Sequence, residues 1–266
     1  MKNDTDIRQF EPVRVLLPNE EVARRLADAI RTGFFRIGSR LPSERSLAAQ
    51  MQISRPTVRE AVKLLADAGI LIVRPGAGGG IFVASEIVPL DFIVTVPDMR
   101  PGEVDEALEV RRLILPWVAM IASQYAEDED FDRMREAIVF GRMSLPSRSV
   151  KKLRVNHIQT IIIATMRFDL AVARATRNRL IVRLMENLLH WVEPLRFKTL
   201  HGRDDLVLAL DLVEKMLEAI EGGDRDKVAR TTQDRLVILE NALEEHNGRK
   251  LRRRHMSFSP GPAKVA

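Results

Sequence analysis

"LPSERSLAAQMQISRPTVREAVKLLADAGILIVRPGAGGGIFVA", Leu41–Ala84, packs two short helical patterns, an apolar run and a glycine-rich tip into one stretch. Ser43 stands where an N-cap would precede "ERSLAAQM", in which Leu47, Ala48 and Met51 fall at helical spacing. Ser54 is placed to cap the next helix, whose Pro56 lies in the first turn, where a missing N–H is harmless. Val58, Ala61, Val62 and Leu65 form that helix's inner stripe, and Gly69 ends it. "ILIV" and "IFVA" read as short β-strands joined by the turn "RPGAGGG". Upstream, Asn19 is the expected N-cap of "NEEVARRLADAIRTGFF", with Val22, Leu26, Ala29 and Ile30 on one face and Gly33 as its stop. Three helices and a hairpin thus fill about 65 residues.

Arg55 and Arg59 are four apart and share a helix face with Thr57 nearby, opposite the apolar stripe. The major groove of DNA admits one α-helix, and reading it takes side chains projecting near that helix's N-terminus, supported by donors to phosphate. Arginine pairs bidentately with the two acceptors of guanine, while Ser54 and Arg45 suit flanking phosphates. A tip built on Gly76 to Gly80 can approach the minor groove closely because no side chain obstructs it. The same "GAGGG" lacks the Lys-Ser/Thr of a nucleotide loop and sits between strands, which argues against a phosphate-loop enzyme.

This stretch closely resembles the winged helix-turn-helix of GntR-type bacterial transcription regulators, on its Leu-Pro-Ser-Glu-Arg start, its Ser-Arg-x-Thr-Val-Arg-Glu-Ala core and its glycine-rich wing. The resemblance implies that Arg45, Ser54, Arg55, Thr57, Arg59 and Gly76 occupy DNA-contacting positions, with Glu44 and Glu60 orienting arginines or capping helices. It implies homodimers on short palindromes in double-stranded DNA. One small module also makes too few base contacts for genomic specificity.

Beyond Ala84 the pattern changes. "SEIVPLDFIVTVPDMR" holds several breakers around a short extended run and reads as a linker. From Pro101 to Asn247, apolar residues recur at helical spacing and strand signals are nearly absent, giving an all-α bundle of about six helices, the first kinked at Pro116. The fold class is mainly α: a winged helix-turn-helix joined to a helical bundle. The expected divisions are an N-terminal tail over 1–18, the DNA-binding domain over 19–84, a linker over 85–100, the helical effector-binding and dimerisation domain over 101–247, and a disordered basic tail over 248–266. That tail opens with five basic side chains in six residues, Arg249 to Arg254, and adds unspecific attraction to a polyanion.

The 266-residue chain has 42 Lys and Arg against 37 Asp and Glu, a net charge of +5, so where the charge sits matters more than its sum. With no cysteine, disulfide frameworks and thiolate metal sites are excluded. No run reaches the ~18 apolar residues of a membrane span, and the N-terminus lacks a secretory signal pattern. The expectation is a soluble, cytoplasmic protein, nucleoid-associated through DNA and without a membrane partner.

The bundle resembles, more weakly, the ligand-sensing domain of the FadR-like subgroup. "EVRRLILPWVAMIAS", "FDLAVARATRN" and "LEAIEGGDRDKVAR" carry the match, with Leu115 replacing a glutamate. Subgroup members commonly hold a divalent metal with one Asp and three His. The resemblance puts Thr165, Asp169 and Val213 at three of those positions and Arg235, or a neighbour, at the fourth, and neither valine nor arginine ligates a metal. His157 and Asp169 are roughly 18 Å apart along one helix, too far to share an ion. No metal or other cofactor is therefore expected.

Without a metal, apolar walls and a few polar groups must hold an effector. Ile161, Ile162, Ile163, Met166, Leu184, Met185, Leu188 and Trp191 are either ordinary core or the wall of a site for an acyl-CoA or other lipid-like molecule. Arg111, Thr165, Asp169 and Asn178 are the polar candidates, although Arg111 equally suits a carboxylate between helices. The expected function is a repressor whose binding to a palindromic operator is modulated by that small effector. An effector-blind dimeric regulator, and a carboxylate-responsive one with a rearranged metal site, stand as alternatives. No nucleophile with a neighbouring base points to an enzyme.

Overall fold

The computed structural model describes residues 17–76, 78–88, 101–150 and 153–251. The expected N-terminal tail before 17, most of the linker and the basic tail beyond 251 lie outside the described residues. Contacts divide the chain into two compact units, Met1–Val94 and Thr95–Ala266.

The first unit runs α1 (Pro18–Arg31), α2 (Glu44–Met51), α3 (Arg55–Asp67), β1 (Leu71–Arg74) and β2 (Gly80–Val83). Asn19 is not the cap of α1. The helix starts at Pro18, whose fixed φ and absent N–H suit the first position, and the Glu20 carboxylate accepts the Leu17 N–H at 3.0 Å. Ser43 and Ser54 do cap α2 and α3, accepting the N–H groups of Ser46 and Thr57. Gly33, with φ 77°, follows the end of α1 in the left-handed region that glycine enters without strain. The strands pair antiparallel from Leu71 opposite Val83 to Arg74 opposite Gly80, one residue off the expected bounds at each strand. Ile81 and Val83 alternate inward and join Leu26, Ile30, Val58, Leu65 and Ile70 in one core.

The second unit contains α4 (Pro101–Tyr125), α5 (Asp128–Met143), α6 (Val155–Ala175), α7 (Arg179–Phe197), α8 (Arg203–Glu221) and α9 (Arg225–Asn247). The six expected helices are present. Helix α4 runs through Pro116 without interruption. Helix α6 packs against α4, α5, α7 and α8. Its residues from Gln159 to Met166 and from Phe168 to Ala173 are all buried, as an apolar-all-round helix requires. Asn178 and Asp224 open α7 and α9 by accepting backbone N–H groups of the first turn.

Helices α5, α6 and α8 approach closely at Gly141. A Cβ there would lie 2.6 Å from Leu210 Cδ2 and 2.9 Å from the Cβ of Ala164. Helix propensity alone favours a larger residue at this position by up to ~1 kcal/mol, so the glycine is kept for packing. Gly141→Val should overpack this contact and destabilise the bundle by about 1–3 kcal/mol. The expected readout is a lower denaturant midpoint with an unchanged slope.

Candidate functional site

Ser54 Oγ accepts the Thr57 N–H at 3.3 Å and lies 2.8 Å from the Thr57 hydroxyl, fixing the first turn of α3. Arg55 and Arg59 leave the exposed face of that helix, while Val58, Ala61, Val62 and Leu65 bury the other. The two arginines are held differently. Arg59 Nη2 sits 3.1 Å from Glu44 Oε2 on α2, and its Nε donates to the same oxygen at 3.2 Å. Arg55, and Arg45 on α2, are exposed and have no ion-pair partner among the described residues.

At the wing, Gly76 has φ 97°, in the left-handed region. Gly79 allows the tight return: a Cβ there would fall 2.2 Å from the Arg74 carbonyl oxygen, so any side chain would open the turn. Two cations outside the expected set of contacts flank this tip. Arg40 donates Nη2 to the Gly79 carbonyl at 2.6 Å, and the Arg74 guanidinium lies 4.8 Å from the centre of the Phe82 ring. Arg74 abuts the glycine run in the sequence, but nothing local tells that the chain before α2 returns to the wing.

The helical unit encloses a second concentration of charge. A cavity of about 90 Å³ lies between α4, α7, α8 and α9, with Arg111, Arg196 and Arg235 among its lining and Leu200, Leu208, Leu212 and Leu239 as apolar wall. Arg235 is matched: it forms a two-point pair with Asp169 of α6, Nη2 to Oδ2 at 2.9 Å and Nη1 to Oδ1, both residues buried. Arg111 is not. It is 2% exposed, and its buried Nε and Nη1 find no hydrogen-bond partner. Burial and the neighbouring Arg235 push its pKa down to about 10, against partial support from Asp169 and Glu240. Arg196 is pushed down to about 9, by burial first and then by Arg235 and Arg111.

Two family models match the chain: "Bacterial regulatory proteins, gntR family" over residues 18–83 and "FCD domain" over residues 106–237. The chain belongs to the GntR family. Among curated relatives, it is 31% identical over 180 residues to the Uxu operon transcriptional regulator of Escherichia coli (strain K12), covering 66% of this chain and 65% of that protein. It is 25% identical to the putative L-lactate dehydrogenase operon regulatory protein of the same organism, over 93% of this chain and 95% of that one. The match to the HTH-type transcriptional regulator Mce2R of Mycobacterium tuberculosis is 34% identical and spans 55% of that protein's length. The solved structure of E. coli McbR/YncC is similar in fold, with a TM-score of 0.50 at 16% identity, over 88% of this chain and all of that one.

Within this GntR-family chain, the four positions of the subgroup's metal pattern carry other work. The Thr165 hydroxyl returns to the Ile161 and Ile162 carbonyls at 3.0 Å each, Val213 is core, and Asp169 is held by Arg235. Among the described residues no three His, Cys, Asp or Glu side chains come together to hold a metal. Asn178 uses its side-chain oxygen to cap α7. The anticipated lipid wall does not line the cavity: Ile161, Ile162, Ile163, Met166, Met185 and Leu188 are core, while Leu184 and Trp191 face outward. Of the four polar candidates only Arg111 lines the cavity, with Asp169 behind it through Arg235.

Arg196 was missed, although Leu189, Val192 and Arg196 follow helical spacing on the buried face of α7 and so announce an inward cation. Asp169→Ala strands a guanidinium and should destabilise the protein by about 3–5 kcal/mol. Replacing both partners together by apolar residues of similar volume should recover most of that loss in thermal or denaturant melts.

Proposed function

We propose that this GntR-family protein is a ligand-modulated, homodimeric repressor: residues 19–84 of each protomer read half of a palindromic operator, and residues 101–247 dimerise and bind a small effector. The observation that carries the reading is α3 itself, with a serine-capped first turn, Arg55 and Arg59 on its open face and a glycine wing in the same unit. In this reading Arg55 reads a base edge, Thr57 and Arg59 support it, Arg45 and Ser54 hold phosphates, and Gly76 lets the wing approach a groove. The effector acts by preferring one arrangement of the two reading modules over another. The cavity favours a small ligand over an acyl-CoA, because the residues expected to wall a long chain pack against each other instead.

Dimerisation has support on α7. Leu180, Leu184 and Trp191 are exposed, and at ~100° per residue they fall within about 40° of one another around the helix. Such an apolar stripe is suited to a second copy of the chain. Trp191→Glu should therefore shift the sedimentation profile of the full-length protein toward monomer without lowering its helical content.

Polarisation titrations with DNA from upstream of the protein's own coding sequence test the central claim. Sequence-selective binding at moderate salt is expected, and its absence overturns the reading. Arg55→Ala should narrow the gap between operator and random DNA by about 1–3 kcal/mol. Arg45→Ala should weaken binding to both alike and flatten the salt dependence by a slope of about one.

A further inference from the structure

We propose that the cavity between α4, α7, α8 and α9 is a metal-independent site for a monocarboxylate with an apolar body, its carboxylate held by Arg111 and Arg196 and its body laid along the α8–α9 seam. This rests on the reading of the helical unit as effector-binding, and it names the chemistry of the ligand.

A guanidinium offers five N–H donors and does not shed its proton, so burial without acceptors has to be answered by an anion. Arg111 has two such buried donors unmet, and Arg196 has no hydrogen-bond acceptor for its side chain among the described residues. Both depart downward from the ordinary arginine range, Arg111 through burial and Arg235, and Arg196 through burial, Arg235 and Arg111. The carboxylates nearby are largely engaged, and Asp205 is the one that lines the cavity itself. Asp169 holds Arg235, Glu240 pairs with Arg112 at 3.0 Å, and Asp205 accepts the N–H groups of His201 and Gly202 at 2.9 and 2.8 Å. Glu193, one turn before Arg196 on α7, tempers its charge without lining the cavity.

The shape selects within anions. About 90 Å³ admits a headgroup and little more, so a carboxylate seated on the two arginines must extend its remainder elsewhere. Leu208, Leu212 and Ile238 wall this cavity and also an adjoining groove of about 300 Å³ that continues to Val237. That route is apolar where it leaves the arginines, and its polar groups, Lys215, Thr231 and Asp234, belong to the groove alone. A dicarboxylate or a sugar acid would press polar groups against the leucines, whereas an aliphatic or aromatic monoacid would not. In place of a metal, the site has Arg235 fixed by Asp169, a permanent cation that no chelator removes.

The test uses the full-length protein in calorimetric titrations with straight-chain monocarboxylates from acetate to decanoate, each paired with its neutral amide. We expect an acid of intermediate length to bind at least tenfold tighter than its amide, with no effect of EDTA. Arg111→Met and Arg196→Met should each abolish that preference while leaving the ligand-free melting temperature equal or higher, because each removes a buried charge that its neighbours compensate only in part. A cation needed only for the fold would lower it. Leu208→Gln, at a partly exposed position, should weaken the longer acids severalfold and leave propionate unchanged.

Failure of every acid to bind, equal binding of acid and amide, or undiminished binding by the arginine variants overturns the proposal. Operator binding measured in parallel separates the two readings. Acids that bind without altering DNA affinity leave the site standing and remove its sensory role. A change in DNA affinity caused by other ligands, with no acid bound, does the reverse.

Discussion

Two opposite charges taken out of water persist only while each keeps the other, and Asp169 and Arg235 meet that condition between α6 and α9. Helix α6 is buried nearly all round and supplies only this one carboxylate to the interior, while α9 packs chiefly on α4 and α8. The two-point pair therefore ties the central helix to one that otherwise shares few contacts with it. It also sets the charge of everything nearby. With Asp169 committed to Arg235, Arg111 and Arg196 face the cavity with only partial counter-charge, and the chemistry of that cavity follows.

The first unit is largely legible in the sequence. Serine caps, a proline in a first turn, a four-residue arginine spacing and a glycine run are local signals, each with a local physical cause. Of its failures, one was local and one was not. Asn19 looks like a cap until Pro18 is recognised as the better first residue of a helix, with Glu20 reaching back to the preceding N–H. Arg40 escaped because its partner, the Gly79 carbonyl, is distant in the chain and close only after the hairpin forms.

In the bundle the count of helices was readable from periodicity, and what the interior does was not. "TIIIATMRF" is as apolar as any pocket wall, yet its isoleucines are consumed in packing against neighbouring helices. The informative residues were the polar ones standing on apolar stripes: Arg111 between Leu108 and Leu115 on α4, and Arg196 after Val192 on α7. A buried position filled by arginine is expensive enough to need a reason, and that mismatch is visible at the level of spacing.

The hold of Glu44 on Arg59 makes the pair of arginines on α3 unequal in a way that their spacing conceals. Arg59 is already confined by a carboxylate, so an anionic surface meeting α3 finds its rotamer chosen but must compete for its charge. Arg55 is free of that competition and instead surrenders side-chain freedom when it is fixed, at about 0.5–1.5 kcal/mol. One arginine thus resists by enthalpy and the other by entropy. Neutralising Glu44 would move Arg59 into the second class, trading an ordered guanidinium for an unopposed one.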